Sequence, residues 1–400
     1  MTTMTPEKLC IYCGLEKPAN EFSLEHIFPQ ALGGALCNDL FKTRDVCRRC
    51  NSIVGTFVDG AFLKSWFITN DSAFASQDYL DLNSPTSISP LSYMGPVDGL
   101  SLAEDEICEM WLGPCGSHFY HIHRRDEPQW NPYAGGNPIE RREDPGRAYL
   151  ALTTHNPQWM MLLLRSFKAS FRRARRYPAN FGFSEESAPQ DFVLPADAVA
   201  EAEAQRILSL PTMHEHQVAI DPHFDLRFLG KLALGVGYKL FGNAYLETQY
   251  STEARRALWA KDAAAREGLQ LRGSGFLSGM EDQTGELLGW SGAYVVRLHA
   301  VGDDFVLSMH LSSGRVMHVS IATSPELWAS TNFDPYRNGV VYLVAPQTGR
   351  FIGPIDLPSY IAHRTGVRTV TELQELEAQR TDPATLPPCR ENETPPNPHP

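Results

Sequence analysis

Residues 24–29 have the sequence LEHIFP and lie between two cysteine pairs, CIYC at residues 10–13 and CRRCN at residues 47–51. Each C-x-x-C pair presents two thiolates to one ion, and zinc accepts four thiolates in a closed tetrahedral site. The pattern therefore predicts a structural Zn²⁺ site made of Cys10, Cys13, Cys47 and Cys50. The alternative is two unrelated pairs of buried or redox cysteines, although a thioredoxin-like pair would occur singly at a strand–helix junction.

The segment between the cysteine pairs carries residue types that suit hydrolytic chemistry. Glu25 and His26 precede Pro29 and the Gly-Gly pair at 33–34, and Asn51 directly follows the last cysteine. An imidazole is neutral near pH 7 and can take a proton from water. Carboxylate and amide oxygens suit hard divalent cations. A histidine outside such a frame is more often structural, so the surrounding pattern is what makes His26 a candidate.

In the order of these features, residues 10–59 resemble the HNH endonucleases, also called ββα-metal nucleases, of the branch with a four-cysteine zinc frame. The resemblance implies an N-terminal ββα-metal module in which His26 is the general base that activates water. It implies that Glu25 and Asn51 hold a catalytic Mg²⁺ or Mn²⁺ ion near the scissile phosphate.

The family places a middle asparagine on the loop before the second cysteine pair. Asn38 is the only asparagine between His26 and Cys47, and the resemblance assigns this catalytic role to it. It lies farther from Cys47 than the common pattern has it. Other residues that could occupy the matching place are Lys42, Thr43 and Asp45.

The resemblance implies a metal-dependent endonuclease that nicks or cleaves DNA, and stand-alone HNH proteins often occur in anti-phage defence. RNA is an alternative substrate, because a metal and a base do not by themselves select the sugar. A non-catalytic, zinc-stabilised protein that binds nucleic acid or a protein partner is an alternative from another class. A protein or small-molecule activator is also left open, as is the oligomeric state.

The charge of the chain restricts where nucleic acid could bind. The net charge is −12, which argues against a general polyanion binder, so contact with phosphates requires a local basic patch. The residues expected to supply it follow an apolar helical stretch and are Arg165, Lys168, Arg172, Arg173 and Arg176. The alternative is a solvated helix end, where cations are favoured by the helix dipole.

The remaining sequence predicts an α+β fold with a larger mixed helical and antiparallel β domain. Helices are predicted for residues 157–177, 195–209, 224–242 and 251–268, the last with Ser251 or Thr252 as its N-cap. Alternating apolar residues predict strands over 293–301, 304–312, 315–322 and 338–346. The predicted domains are an HNH module (1–65), a substrate-binding, partner-binding or regulatory domain (66–385) and a disordered proline-rich tail (386–400).

A further strand is predicted at GSHFYHIHRR, residues 116–125. His121 and His123 would share one side of this strand and, with His118 and Cys115 nearby, they are candidates for a second metal site. Exposed strand histidines are the expected alternative.

The location of the protein is predicted from what the sequence lacks. No apolar run is long enough to span a bilayer, so no membrane partner is expected. The first residues have no apolar signal-peptide core, and these two features together predict a cytoplasmic protein.

Overall fold

The computed structural model describes residues 6–124, 145–179, 198–210, 222–277, 283–312, 315–328 and 333–389. Its strands in chain order are β1 (Glu7–Leu9), β2 (Glu16–Pro18), β3 (Phe22–His26), β4 (Lys42–Cys47), β5 (Ser92–Pro96), β6 (Glu106–Leu112), β7 (His118–Arg124), β8 (Arg147–Ala151), β9 (Arg175–Pro178), β10 (Gly273–Leu277), β11 (Tyr294–Val301), β12 (Asp304–His310), β13 (Val316–Ala322), β14 (Val340–Ala345) and β15 (Arg350–Asp356). Its helices are α1 (Arg48–Val54), α2 (Gly60–Lys64), α3 (Trp66–Gln77), α4 (Pro157–Ser170), α5 (Ala198–Leu208), α6 (Pro222–Phe241), α7 (Asn243–Leu246), α8 (Gln249–Trp259), α9 (Ala263–Arg266), α10 (Gln283–Leu288), α11 (Asp334–Arg337), α12 (Leu357–Arg364) and α13 (Thr371–Glu377).

The chain forms two compact units, and each is discontinuous in sequence. The first unit contains Met1–Leu63 and Asp221–Arg380, and the second contains Lys64–Ile220 and Thr381–Pro400. Residues 1–63 therefore share a compact unit with a distant part of the chain. The domain boundaries after residues 65 and 385 stay predictions from the sequence. Most of the predicted disordered tail, residues 390–400, lies outside the described residues.

An antiparallel sheet forms the centre of the first unit, with strand order β10-β13-β12-β11-β14-β15. Its strands carry the period-two pattern of the sequence, and a turn at Gly302 joins β11 to β12, with Val301 paired to Asp304. Helix α6 packs on β10, β13 and α8. The α+β fold class and the antiparallel strands predicted from this region are confirmed.

Glycines on α6 let its neighbours approach closely. A Cβ atom at Gly235 would lie 2.6 Å from Cγ2 of Ile27, and one at Gly230 would lie 2.7 Å from the carbonyl oxygen of Ala254. Side chains larger than hydrogen would therefore clash at both positions. The close approach at Ile27 brings α6 against the end of β3, which carries His26.

The second unit contains a five-stranded sheet in the order β5-β6-β7-β8-β9, in which only the β8–β9 pair is parallel. Helix α4 packs its apolar side on this sheet, where Leu163, Phe167 and Phe171 are buried with Phe119. A disulfide joins Cys115 to Cys389, which are 274 residues apart in sequence. The sequence interpretation did not include this bond.

Two helix predictions need correction. The helix predicted for 157–177 ends at Ser170, because Arg175–Pro178 instead pairs with β8 as a strand in which Tyr177 is buried. The helix predicted for 251–268 spans Gln249–Trp259, and its N-cap is Thr248, whose side chain accepts a hydrogen bond from the amide of Ser251. Neither proposed cap, Ser251 nor Thr252, occupies the cap position.

Candidate functional site

The four paired cysteines meet at one point in the first unit. Their ligand atoms all lie within 4.8 Å of one another, which suits a single ion about 2.3 Å from each sulfur. The Cys10 thiol accepts a hydrogen bond from the backbone amide of Cys47 at 3.3 Å. The hydrogen bond with the Cys50 thiol lowers the pKa of Cys10. The cluster fits a structural zinc ion.

Strands β3 and β4 and helix α1 form a hairpin followed directly by a helix. The register pairs His26 with Lys42 and Glu25 with Thr43, after a shift in register next to Ser23. Because side chains alternate along a strand, Glu25 and His26 face opposite sides of the hairpin. Glu25 is only 3% exposed, whereas His26 is half-buried.

His26 has the electrostatic surroundings of a neutral imidazole. Burial lowers its pKa, and the positive charges of Lys42 and Lys231 lower it further, against an opposing effect of Glu25. The Gln30 side-chain amide lies 3.1 Å from Nδ1 of His26. A ring that is unprotonated near pH 7 can accept a proton from water.

Glu25 takes part in a buried charge cluster that the sequence analysis did not identify. Lys231 of α6 is fully buried and places its ammonium 3.0 Å from Oε1 of Glu25 and 2.6 Å from Oδ2 of Asp59. The hydroxyl of Tyr12 donates to Glu25 at 3.2 Å. Lys231 also donates to the backbone carbonyl of His26 at 2.8 Å. The signal in the sequence was a single lysine in the apolar run FLGKLALGVG.

The pKa values in this cluster follow from burial and from the charges themselves. Burial alone would lower the pKa of Lys231, but Asp59 and Glu25 raise it, so the ammonium stays charged. Burial raises the pKa of Asp59 to about 6, although Lys231 opposes this effect. The cluster therefore contains two carboxyl groups for one ammonium.

Asn51, the fourth residue of α1, is attached to the hairpin through its side chain. Its Nδ2 donates to the backbone carbonyl of Leu24 at 2.8 Å and to Oγ of Ser23 at 3.0 Å. A carbonyl can only accept, so the amide nitrogen must face the strand. The oxygen Oδ1 is then the atom that could bind a cation.

Asn38 has a local role in the structure. Its Oδ1 accepts a hydrogen bond from the amide of Leu40 at 3.1 Å and caps the short turn Asp39–Phe41. Two alternatives for the middle position, Lys42 and Thr43, lie opposite His26 and Glu25 in the hairpin register. Within the described residues, no hydrogen bond joins Asn38 to His26.

The predicted phosphate-binding residues lie in the second unit and do not share one helical face. Arg165 donates to the backbone carbonyls of Ser87 at 3.0 Å and Leu82 at 3.2 Å, and so holds a loop in place. Arg176 lies on β9 and not on the helix. The three exposed members of the set are Lys168, Arg172 and Arg173.

The segment that contains this site has a known family. Residues 10–67 match the family model described as HNH endonuclease, whereas no curated protein and no solved structure matches the chain. Among the described residues, no helix has the length and apolar character needed to cross a membrane. The matched segment includes all four paired cysteines together with Glu25, His26 and Asn51. The chain therefore carries an HNH endonuclease domain at residues 10–67.

Proposed function

We propose that the protein is a metal-dependent endonuclease that hydrolyses DNA phosphodiester bonds. The observation that carries this proposal is the position of His26, whose pKa is lowered, at the end of strand β3, in a hairpin whose other strand, β4, ends at Cys47 of the zinc-type cysteine cluster. In this proposal His26 takes a proton from the attacking water, which contributes roughly 10²–10⁴-fold to such reactions.

Glu25 and Asn51 are the proposed ligands of a catalytic Mg²⁺ or Mn²⁺ ion. Oxygen donors suit these ions, and Glu25 belongs to a cluster that has two carboxyl groups for one ammonium. When bound, the ion would neutralise charge on the scissile phosphate. The protein's own contribution is to hold these groups in place. Asn51 fixes the backbone at Leu24, and Lys231 fixes the carbonyl of His26.

The exposed residues Lys168, Arg172 and Arg173 are proposed to bind phosphates of the nucleic acid. Neutralised phosphates release counterions, so binding should weaken steeply with salt. Replacing all three with glutamine should reduce the slope of log affinity against log salt by about 2–3. Arg165 and Arg176 are less suited, because their guanidinium groups already donate to backbone carbonyls.

Substrate class and metal dependence can be tested together. Purified protein is incubated with supercoiled plasmid, linear duplex, single-stranded DNA or RNA, in buffer without divalent ions or with Mg²⁺ or Mn²⁺ added. The proposal predicts cleavage of DNA only when a divalent ion is added, and the plasmid product distinguishes nicking from double-strand cleavage. Cleavage of RNA but not of DNA would contradict DNA as the substrate and identify RNA instead. Cleavage in the absence of added ions would contradict metal dependence.

A second candidate function is binding of nucleic acid or a partner without cleavage. The observation that favours it is the ammonium of Lys231 at 3.0 Å from Oε1 of Glu25, because this cation occupies part of the coordination space of a proposed metal ligand. This alternative predicts a complex with DNA that forms equally with and without Mg²⁺ and yields no cleaved product.

We also propose a role in anti-phage defence, which extends the family resemblance to the cell. It predicts that cells expressing the wild-type protein resist some phages and that cells expressing the His26→Ala variant do not. Plaque counts on matched lawns measure this difference. If activity requires a protein or small-molecule activator, infection should supply it, and equal plaque counts on both lawns would contradict the role. Location in the cytoplasm stays a prediction from the sequence.

A further inference from the structure

A second group of metal-binding residue types lies inside the five-stranded sheet of the second unit. Glu109 on β6 and His121 and His123 on β7 are 5%, 0% and 3% exposed. One ligand atom from each lies within 4.8 Å of the other two. The expectation that these histidines are exposed was therefore wrong.

The sheet register explains why these three side chains converge. Glu109 and His121 are direct cross-strand partners in the antiparallel β6–β7 pair. His123 is two residues farther along β7 and therefore projects from the same face as His121. The imidazole rings of His121 and His123 have their centroids 4.8 Å apart.

Two residues that the sequence associated with these histidines do not belong to the group. Cys115 is bonded to Cys389 and is not a free thiolate. His118 faces the other side of β7, where its Nδ1 lies 3.3 Å from the hydroxyl of Tyr120. His118 is therefore a matched control residue on the same strand.

Hydrogen bonds around the group orient each side chain as a metal site requires. Nε2 of His121 donates to the carbonyl of Pro145 at 2.9 Å, and Nδ1 of His123 donates to the carbonyl of Arg124 at 2.6 Å. The hydroxyl of Tyr93 donates to Oε1 of Glu109 at 3.0 Å. Histidine ligands usually donate their second ring nitrogen to a carbonyl or carboxylate, which fixes the tautomer. In these tautomers Nδ1 of His121 and Nε2 of His123 carry the lone pairs.

A simple buried ion pair accounts for only part of this arrangement. Nε2 of His123 lies 3.0 Å from Oε2 of Glu109, and a charged pair would explain that contact. It involves only His123 and Glu109, so it does not explain why the imidazole of His121 converges on the same point. Two ligand atoms that are each about 2.0–2.2 Å from one tetrahedral ion lie about 3.3–3.6 Å apart, so the 3.0 Å contact needs to lengthen only slightly to admit the ion.

We infer that Glu109, His121 and His123 bind a divalent transition-metal ion, and that zinc is the ion this donor set favours. Two imidazoles and one carboxylate form a three-ligand set that leaves the fourth position of a tetrahedral zinc ion for water. The rings of Trp111 and Phe171 flank His121, with centroids 6.3 Å and 5.5 Å away. This aromatic shell limits access of solvent and favours a retained ion.

Metal content measured by multi-element mass spectrometry on the dialysed full-length protein tests the inference. After dialysis against buffer without Mg²⁺ or Mn²⁺, we expect two equivalents of zinc per chain, one for each cluster of candidate ligands. The variants His121→Gln and Glu109→Gln should each retain one equivalent, whereas the control His118→Gln should retain two. A wild-type protein with a single equivalent would overturn the inference.

Cobalt substitution keeps the test decisive if the variants do not fold. In wild-type protein loaded with Co²⁺, only the ion at the four cysteines gives thiolate-to-metal charge-transfer absorption. With excess Mg²⁺ present to compete for the oxygen-ligand site of Glu25 and Asn51, we expect a second equivalent of bound Co²⁺ without this absorption. Saturation of cobalt binding at one equivalent, all of it thiolate-bound, would contradict the second site. Neither result depends on whether the protein cleaves DNA.

Discussion

Replacement of Lys231 by methionine should destabilise the first unit more than any surface substitution. Methionine has nearly the same length but no charge, so Glu25 and Asp59 lose the ammonium that contacts them at 3.0 Å and 2.6 Å. The lysine is fully buried, so water cannot replace it without a change in packing. The carbonyl of His26 loses its hydrogen bond as well.

Removal of one partner from a buried ion pair typically costs about 3–5 kcal/mol, because the remaining charge stays buried without compensation. For a compact unit of this size, each kcal/mol of lost unfolding free energy lowers the melting temperature by roughly 2–4 °C. We therefore expect the transition of the first unit to fall by roughly 6–20 °C. Calorimetry on the full chain measures this shift.

The effect should depend on pH in a defined direction. Burial raises the pKa of Asp59 to about 6, above its unfolded value. Ionisation of Asp59 in the folded protein therefore lowers the stability of the fold. This loss is absent below the unfolded pKa of about 4 and complete above the folded pKa. Lys231 opposes that rise in the wild type. The loss of stability in Lys231→Met should therefore be larger at pH 8 than at pH 5.

A matched control lies on the same helix. Lys239 is exposed on α6, so Lys239→Met should change stability by no more than about 0.5 kcal/mol. The double variant Lys231→Met with Glu25→Gln should recover part of the lost stability, because one buried charge is removed. Equal melting temperatures for Lys231→Met and Lys239→Met, at pH 5 and pH 8 alike, would refute the account of a buried charge cluster.

Three further predictions concern the proposed site. Cys47→Ser should lose the structural zinc and unfold the hairpin region, measured as metal content and circular dichroism; retained zinc with native folding would contradict the four-cysteine site. Asn51→Ala should cost about 1 kcal/mol of stability through its lost bond to Leu24 and also lower the cleavage rate. Lys42→Gln should raise the pKa of His26, because Lys42 lowers it. The acid limb of the pH–rate profile should then move to higher pH, since a general base must be unprotonated, and an unmoved limb would argue against His26 as the base.

Local signals were sufficient to predict the parts of the site that are close in sequence. The spacing of the cysteine pairs predicted the zinc-type cluster, and the order of Glu25, His26 and Asn51 around it predicted the family. The period-two pattern near residue 300 predicted the antiparallel strands, because alternation directly reflects a half-buried sheet.

Features that depend on distant contacts could not be predicted in this way. Lys231 reaches Glu25 from more than 200 residues away in sequence, and only the packing of α6 on β3 brings them together. The helix after residue 157 ends early because Tyr177 is buried in a strand beside β8, which outweighs local helix propensity. The burial of His121 likewise depends on Trp111 of the neighbouring strand β6 and on Phe171, which follows α4.

The central claim is tested most directly by the rate at which supercoiled plasmid is converted to open-circular or linear DNA in Mg²⁺, with excess enzyme. The comparison is between wild type, His26→Ala and His155→Ala, the last replacing an exposed histidine elsewhere in the chain. The account predicts that His26→Ala remains folded, binds zinc and is slower by about 10²-fold or more, while His155→Ala matches wild type. Equal rates for all three proteins would contradict the assignment of His26 as the base.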